Sequence, residues 1–181
     1  PAPGSTLDLQ LAAFIGPRWE RYRQKFAPFY EDGRFQPTWN WAAALFTGGW
    51  FLYRKLYVPF VLYTVLPQLA FSLLWGDAPM TQTVPNPKPG GPPLTTLTQE
   101  AGLVFLGVYI STIILAGGTA NFLLYRRAMA AMQLVAPRAP DPATRLSLLR
   151  RVGGVSWVSV AVGFGIITLL QFLSALASGA R

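Results

Sequence analysis

Three stretches of the chain are apolar almost throughout and carry no charged residue: 56–75, 101–125 and 152–177. A helix needs ~20 apolar residues to cross ~30 Å of hydrocarbon, and each stretch supplies about that many. The core helix of a soluble bundle shows a polar face; these stretches show none. The pattern predicts an all-α membrane protein with three transmembrane helices at these positions.

A fourth apolar run, 39–51, is too short to cross. Its Trp39, Trp41, Trp50 and Phe51, with Tyr53 just beyond, suit the headgroup layer, and Gly48-Gly49 offers a bend. Residues 39–55 therefore read as an interfacial or re-entrant segment, anchored at its end by Arg54 and Lys55. Residues 1–38 read as interfacial amphipathic helices. In "GSTLDLQLAAFIGP", Ser5 and Asp8 resemble a capping box, and Gly16-Pro17 closes the helix. In "PRWERYRQKFAPFYEDG", Trp19, Tyr22 and Phe26 share one face with Arg18, Arg21 and Lys25 beside it. That pattern suits an anionic membrane surface or the acidic face of a partner.

Composition supports the membrane class: 52% of residues are hydrophobic and 12% charged, about half the charge of an ordinary soluble domain. The net charge is +8, and its placement carries more than its size. Arg18, Arg21, Arg23, Lys25, Arg34, Arg54 and Lys55 precede the first apolar stretch; Arg126, Arg127, Arg138, Arg145, Arg150 and Arg151 lie between the second and third. Lys88 stands alone in 76–100 and Arg181 alone at the end. Cytoplasmic loops carry the Lys/Arg excess. The expected location is the bacterial inner membrane, with the amino terminus and the basic loop 126–151 inside, and with the loop 76–100 and the tail 178–181 outside. The first apolar run, 7–15, lacks a basic leader, so no cleaved signal peptide is expected. Six prolines in 76–100 (Pro79, Pro85, Pro87, Pro89, Pro92 and Pro93) remove so many N–H donors that an extended, irregular loop is expected.

Cysteine and histidine are absent, which excludes thiolate nucleophiles, Cys/His metal sites and the commonest haem ligand. No stretch predicted to cross contains an ionisable side chain, the usual mark of a proton relay or coupled transporter; Asp77 and Glu100 fall at the outer edges. Span residues such as Tyr63, Thr64, Gln68, Tyr109, Thr112 and Asn121 read either as a pore or ligand lining or, preferably, as hydrogen bonds between helices. Small residues recur at four-residue spacing, as in Ala116 and Ala120, Ser159 and Gly163, Ala161 and Gly165, and Ser174 and Ser178, and predict close helix packing. Pro59 and Pro67 are expected to kink the first span.

Asn40, Trp41, Ala42, Ala43, Phe46, Trp50, Phe51, Tyr53, Arg54, Lys55 and Tyr57 form an unusually spaced aromatic and basic motif. It resembles that of a family of small bacterial membrane proteins catalogued only as a domain of unknown function; "TGG" departs from the family's turn. The resemblance implies an α-helical membrane protein and brings no activity, substrate or cofactor. The expected function is a non-catalytic accessory subunit of a larger membrane complex, for which photosynthetic and respiratory assemblies are compatible hosts. Its expected partners are the lipid bilayer and other membrane subunits, and no nucleic acid. No cofactor of its own is expected, although a bound lipid or a pigment held by a partner is compatible. The alternative is a small channel, transporter or lipid-handling protein.

Overall fold

The computed structural model describes residues 1–30, 33–75 and 81–179. Asp77, Pro79 and Arg181 lie outside the described residues, as do the side chains of Ser174 and Ser178.

Helix α1, Thr6–Ile15, starts where the Ser5 hydroxyl accepts the Asp8 N–H at 3.3 Å. The expected reciprocal arm slips by one residue, because the Asp8 carboxylate takes Gly4 N–H at 3.0 Å. Gly16, at φ 85°, ends the helix in a backbone region that side chains disfavour. Helix α2, Trp19–Phe26, runs into a 3₁₀ turn, Ala27–Phe29. Its aromatic face is buried: Trp19, Tyr22 and Phe26 pack within the chain, with Phe26 5.5 Å from the Tyr125 ring. This corrects the expected use of that face on a membrane surface or a partner, since the chain itself covers it.

Helix α3, Trp41–Tyr53, is broken at Thr47 (φ 21°, ψ −95°). Helix α4, Tyr57–Phe60, continues through a π turn, Val61–Val65, into α5, Leu66–Trp75. Pro67 explains the wide turn: it has no N–H for the Tyr63 carbonyl, and its ring crowds that carbonyl. Leu66 N–H reaches back five residues to Val61 O instead.

The prolines do not leave 76–100 irregular throughout. Strands β1, Thr81–Val84, and β2, Leu94–Leu97, pair antiparallel with Thr81 opposite Leu97. Neither strand contains a proline, and Pro85–Pro93 forms the connection, where missing donors disturb no ladder.

Helix α6, Gln99–Val135, passes through Arg126 and Arg127 without interruption and ends in a 3₁₀ turn, Ala136–Arg138. Helix α7, Pro142–Val152, is capped by Asp141, whose carboxylate accepts Thr144 N–H at 2.7 Å. The basic segment 126–151 is thus mostly helical. Helix α8, Trp157–Gly179, is the last of the described elements.

The described residues are mostly helical, with two strands. Its core gathers at one end, where α1, α2 and α7 pack on the second half of α6 through residues such as Leu11, Phe14, Phe26, Phe29, Leu124, Ala128 and Leu149. Elsewhere α5, the first half of α6 and α8 present apolar side chains outward. Among the described residues, two stretches are long and apolar enough to cross a membrane, Gln99–Arg138 and Pro142–Leu173. The stretch Tyr57–Phe71 is a shorter apolar helix, so the first of the three expected spans, 56–75, is not among them.

Candidate functional site

The 39–57 motif forms a hairpin against α6. The chain approaches α6 through Phe29 and Phe35, each with its ring 5.4 Å from Phe122. Asn40 N–H then donates to Gly117 O at 2.8 Å. A Cβ on Gly117 would lie 2.8 Å from Trp39 and 3.0 Å from Ala44, so only glycine admits this crossing. Ala116 and Ala120, fully buried, widen the same contact.

Asn40 binds in two directions. Its Oδ1 accepts Ala43 N–H at 3.2 Å, capping α3. Its Nδ2 donates to Asn121 Oδ1 at 2.8 Å. Asn121 Nδ2 in turn donates to the Thr38 carbonyl and hydroxyl, both at 3.1 Å. Both side chains are buried, where an unpaired amide is costly, and the two satisfy each other. The sequence marked Asn121 only as a polar residue in an apolar helix. Its i, i+4 spacing from Gly117, beside Ala116 and Ala120, was the available signal for a crossing.

From Asn40 the hairpin advances along α6, so that Thr47 at the break lines a cavity with Val108, Tyr109 and Thr112. It then turns back. Phe51 stacks on Tyr63 with ring centres 5.4 Å apart, Tyr53 meets Trp157 at 4.9 Å, and Trp50 and Leu52 are buried. Trp41, by contrast, is 68% exposed.

The hairpin ends in a node of three helix C-termini held by three cations. Arg54 is only 2% exposed. Its Nη1 donates to Ile15 O, the end of α1, at 3.2 Å, and its guanidinium lies 4.9 Å over the Tyr22 ring. Arg127 donates from Nη1 to Arg54 O, the end of α3, and from Nη2 to Val152 O, the end of α7, at 3.1 Å. Lys55, in the left-handed region at φ 57°, donates from Nζ to Gly153 O at 2.8 Å. Carbonyls at helix C-termini lack helical partners and carry partial negative charge. The paired cations at 54–55 are therefore internal fasteners. Gly153 completes the node, because a Cβ there would lie 2.2 Å from the Phe14 carbonyl oxygen. Gly154 N–H donates to the same oxygen at 2.7 Å, and Ser156 N–H donates to Tyr53 O at 2.9 Å.

The remaining predicted residues separate. Tyr57 shares a hydrogen bond with Ser159 at 3.0 Å. Gly163 faces Leu52, whose Cδ1 would be 2.4 Å from an added Cβ, so it serves packing inside the chain. Gly165 meets nothing within 4 Å, and Ala161 is exposed. Arg18 and Arg21 are exposed, whereas Lys25 donates to Trp39 O at 3.1 Å, and burial lowers its pKa. Nearby, Asp8 is 3% exposed and receives Trp19 Nε1 at 2.9 Å and both Nε and Nη2 of Arg23 at 3.0 Å. Burial acts to raise the Asp8 pKa, but donation from Gly4, Arg23 and Trp19 outweighs it and holds the carboxyl below its ordinary value. Among the described residues, no three acidic side chains gather to hold a metal ion.

Residues 16–129 match the family described as "Protein of unknown function (DUF2628)", and the chain belongs to that family. The matched region contains the hairpin, Asn121 and Arg127. No curated protein and no solved structure matches the chain.

Proposed function

We propose that this DUF2628 member is a non-catalytic accessory subunit embedded in the bacterial inner membrane, where it supports assembly with other membrane subunits. In this reading α4–α5 forms a third crossing helix beside α6 and α8. The α1–α2–α7 cap lies on the cytoplasmic side, with the carboxyl terminus and the β1–β2 hairpin outside. The placement of basic residues supports that orientation. The α3 hairpin becomes a re-entrant segment, a geometry tolerated at membrane depth where protein surrounds the broken backbone.

One observation carries the proposal: only 6% of the apolar window ending in α8 is buried within the chain. Inside the chain α8 uses Gly163 against Leu52 and leaves Ala161 and Gly165 outward at i, i+4. Lipid covers apolar side chains as well as protein does, but close backbone approach at small residues is a property of helix contacts. Purification from native membranes in mild detergent tests this, with other membrane proteins co-purifying in fixed ratio as the expected result. Migration alone, with transport after reconstitution alone, would instead support the reading of a channel, transporter or lipid-handling protein. The cavity at Thr47 favours that second reading.

A further inference from the structure

Three local irregularities meet at one cavity between α3, α5 and α6. Thr47 holds a φ of 21°, outside the helical region on either side of it. Threonine is β-branched and rarely adopts such a backbone, and persistent outliers of this kind concentrate at functional sites. Facing it is the π turn Val61–Val65, another irregularity frequent at such sites. The π turn carries Thr64, whose Oγ1 is buried without a hydrogen-bond partner. The Thr64 hydroxyl fits only because residue 48 is glycine: a Cβ there would lie 2.7 Å from it.

The cavity holds about 180 Å³ and has no charged residue in its wall. Two of its hydroxyls have already committed their protons: Thr47 Oγ1 donates to Ala44 O at 3.3 Å and Thr112 Oγ1 to Val108 O at 2.8 Å. The Thr64 proton has no acceptor. The other side is aromatic, with Phe105 6.4 Å from Tyr109 in parallel and 6.4 Å from Phe71 edge-on. A phosphate or carboxylate would be stranded here without a counter-charge.

We propose that this cavity binds the carbonyl head of a neutral, lipid-soluble molecule, with Thr64 donating to the carbonyl oxygen and Phe71, Phe105 and Tyr109 enclosing the adjoining apolar part. Such a head enters from the lipid phase, because Leu66 and Leu69 of α5 and Leu103 and Leu106 of α6 are exposed nearby. The carbonyl belongs to a quinone ring or to the ester of a neutral diacylglycerol, and the chemistry of recognition is shared. The site does not depend on which subunit, if any, the chain assembles with.

The test uses the full chain in lipid nanodiscs, titrated separately with a photoreactive short-chain quinone and a photoreactive diacylglycerol, with labelled peptides identified by mass spectrometry. One probe is expected to label 61–71 or 105–112 saturably, and which one does so identifies the source of the carbonyl. Thr64→Val removes the donor at nearly constant shape and should raise the half-saturation concentration about five- to tenfold, without lowering the melting temperature. Thr64→Ser should retain the wild-type value. Unsaturable labelling by both probes, or equal half-saturation in wild type and Thr64→Val, would overturn the proposal.

Discussion

Asn40 and Asn121 stand 81 residues apart in sequence and 2.8 Å apart in space, each amide buried and completed by the other. This pair fixes where the hairpin starts on α6, and the node at Arg54 fixes where it ends. Between them the motif that distinguishes the sequence is held at both ends, leaving only the break at Thr47 free to deviate from helical geometry.

Removing one partner should therefore cost more than an average contact between helices. Hydrogen bonds between membrane helices contribute about 0.6 kcal/mol on average, but Asn121→Leu strands the Asn40 amide and the Thr38 carbonyl together. We expect a loss of about 1–2 kcal/mol, read by denaturant titration in detergent. In the double variant Asn40→Ala with Asn121→Leu, the two losses should add to less than their sum.

Gly153, at the end of α7, and Gly165, within α8, predict opposite responses to a single methyl group. Gly153→Ala drives a Cβ into the Phe14 carbonyl, so the chain must shift α1 from α7 at a cost of about 1–3 kcal/mol. Gly165→Ala meets open space within a helix and should leave stability unchanged or raise it by up to about 1 kcal/mol. Equal effects in thermal melts would contradict the fit of Gly153 at the node.

The Asp8–Arg23 pair predicts an acid-sensitive cap. Donors hold the folded carboxyl below the unfolded value of about 3.9. The stability this lends is present above that pH and is lost as pH falls through the lowered folded value. Wild type should lose stability on acidification below about pH 4, and Asp8→Asn should be less stable at neutral pH with a flatter profile. Stability measured from pH 6 to pH 2 in both proteins checks the sign.

If the basic face is cytoplasmic, a reporter fused at Arg138 should be active on the cytoplasmic side and one fused at Lys88 on the outer side. The reverse result would remove the basis for the orientation.

Much of this architecture was legible in the sequence, and the failures have common causes. The apolar run 101–125 announced α6, but Arg126-Arg127 read as its edge; Arg127 instead spends its charge on carbonyls supplied by α3 and α7, which no local pattern reveals. The spacing of Trp19, Tyr22 and Phe26 marked one apolar face, which pointed to a membrane surface or a partner; spacing could not say that Tyr125 of the same chain would meet it. Gly48-Gly49 marked the bend within a residue, although the deviant backbone falls on Thr47. Asn40 stood out in the sequence only as a motif residue; its cap on α3 is local, while its second partner lies in a distant helix. The six prolines obscured β1 and β2 because their number in the window hid that none falls within either strand.

The most direct measurement is the native mass of the chain extracted from its own membranes in mild detergent, wild type beside Gly165→Leu. An accessory subunit predicts a wild-type assembly well above the 19.8 kDa chain that contains other membrane proteins, and a Gly165→Leu chain that stays inserted but leaves that assembly. A wild-type chain that runs alone, or that washes off the membrane in alkaline carbonate without detergent, would contradict it.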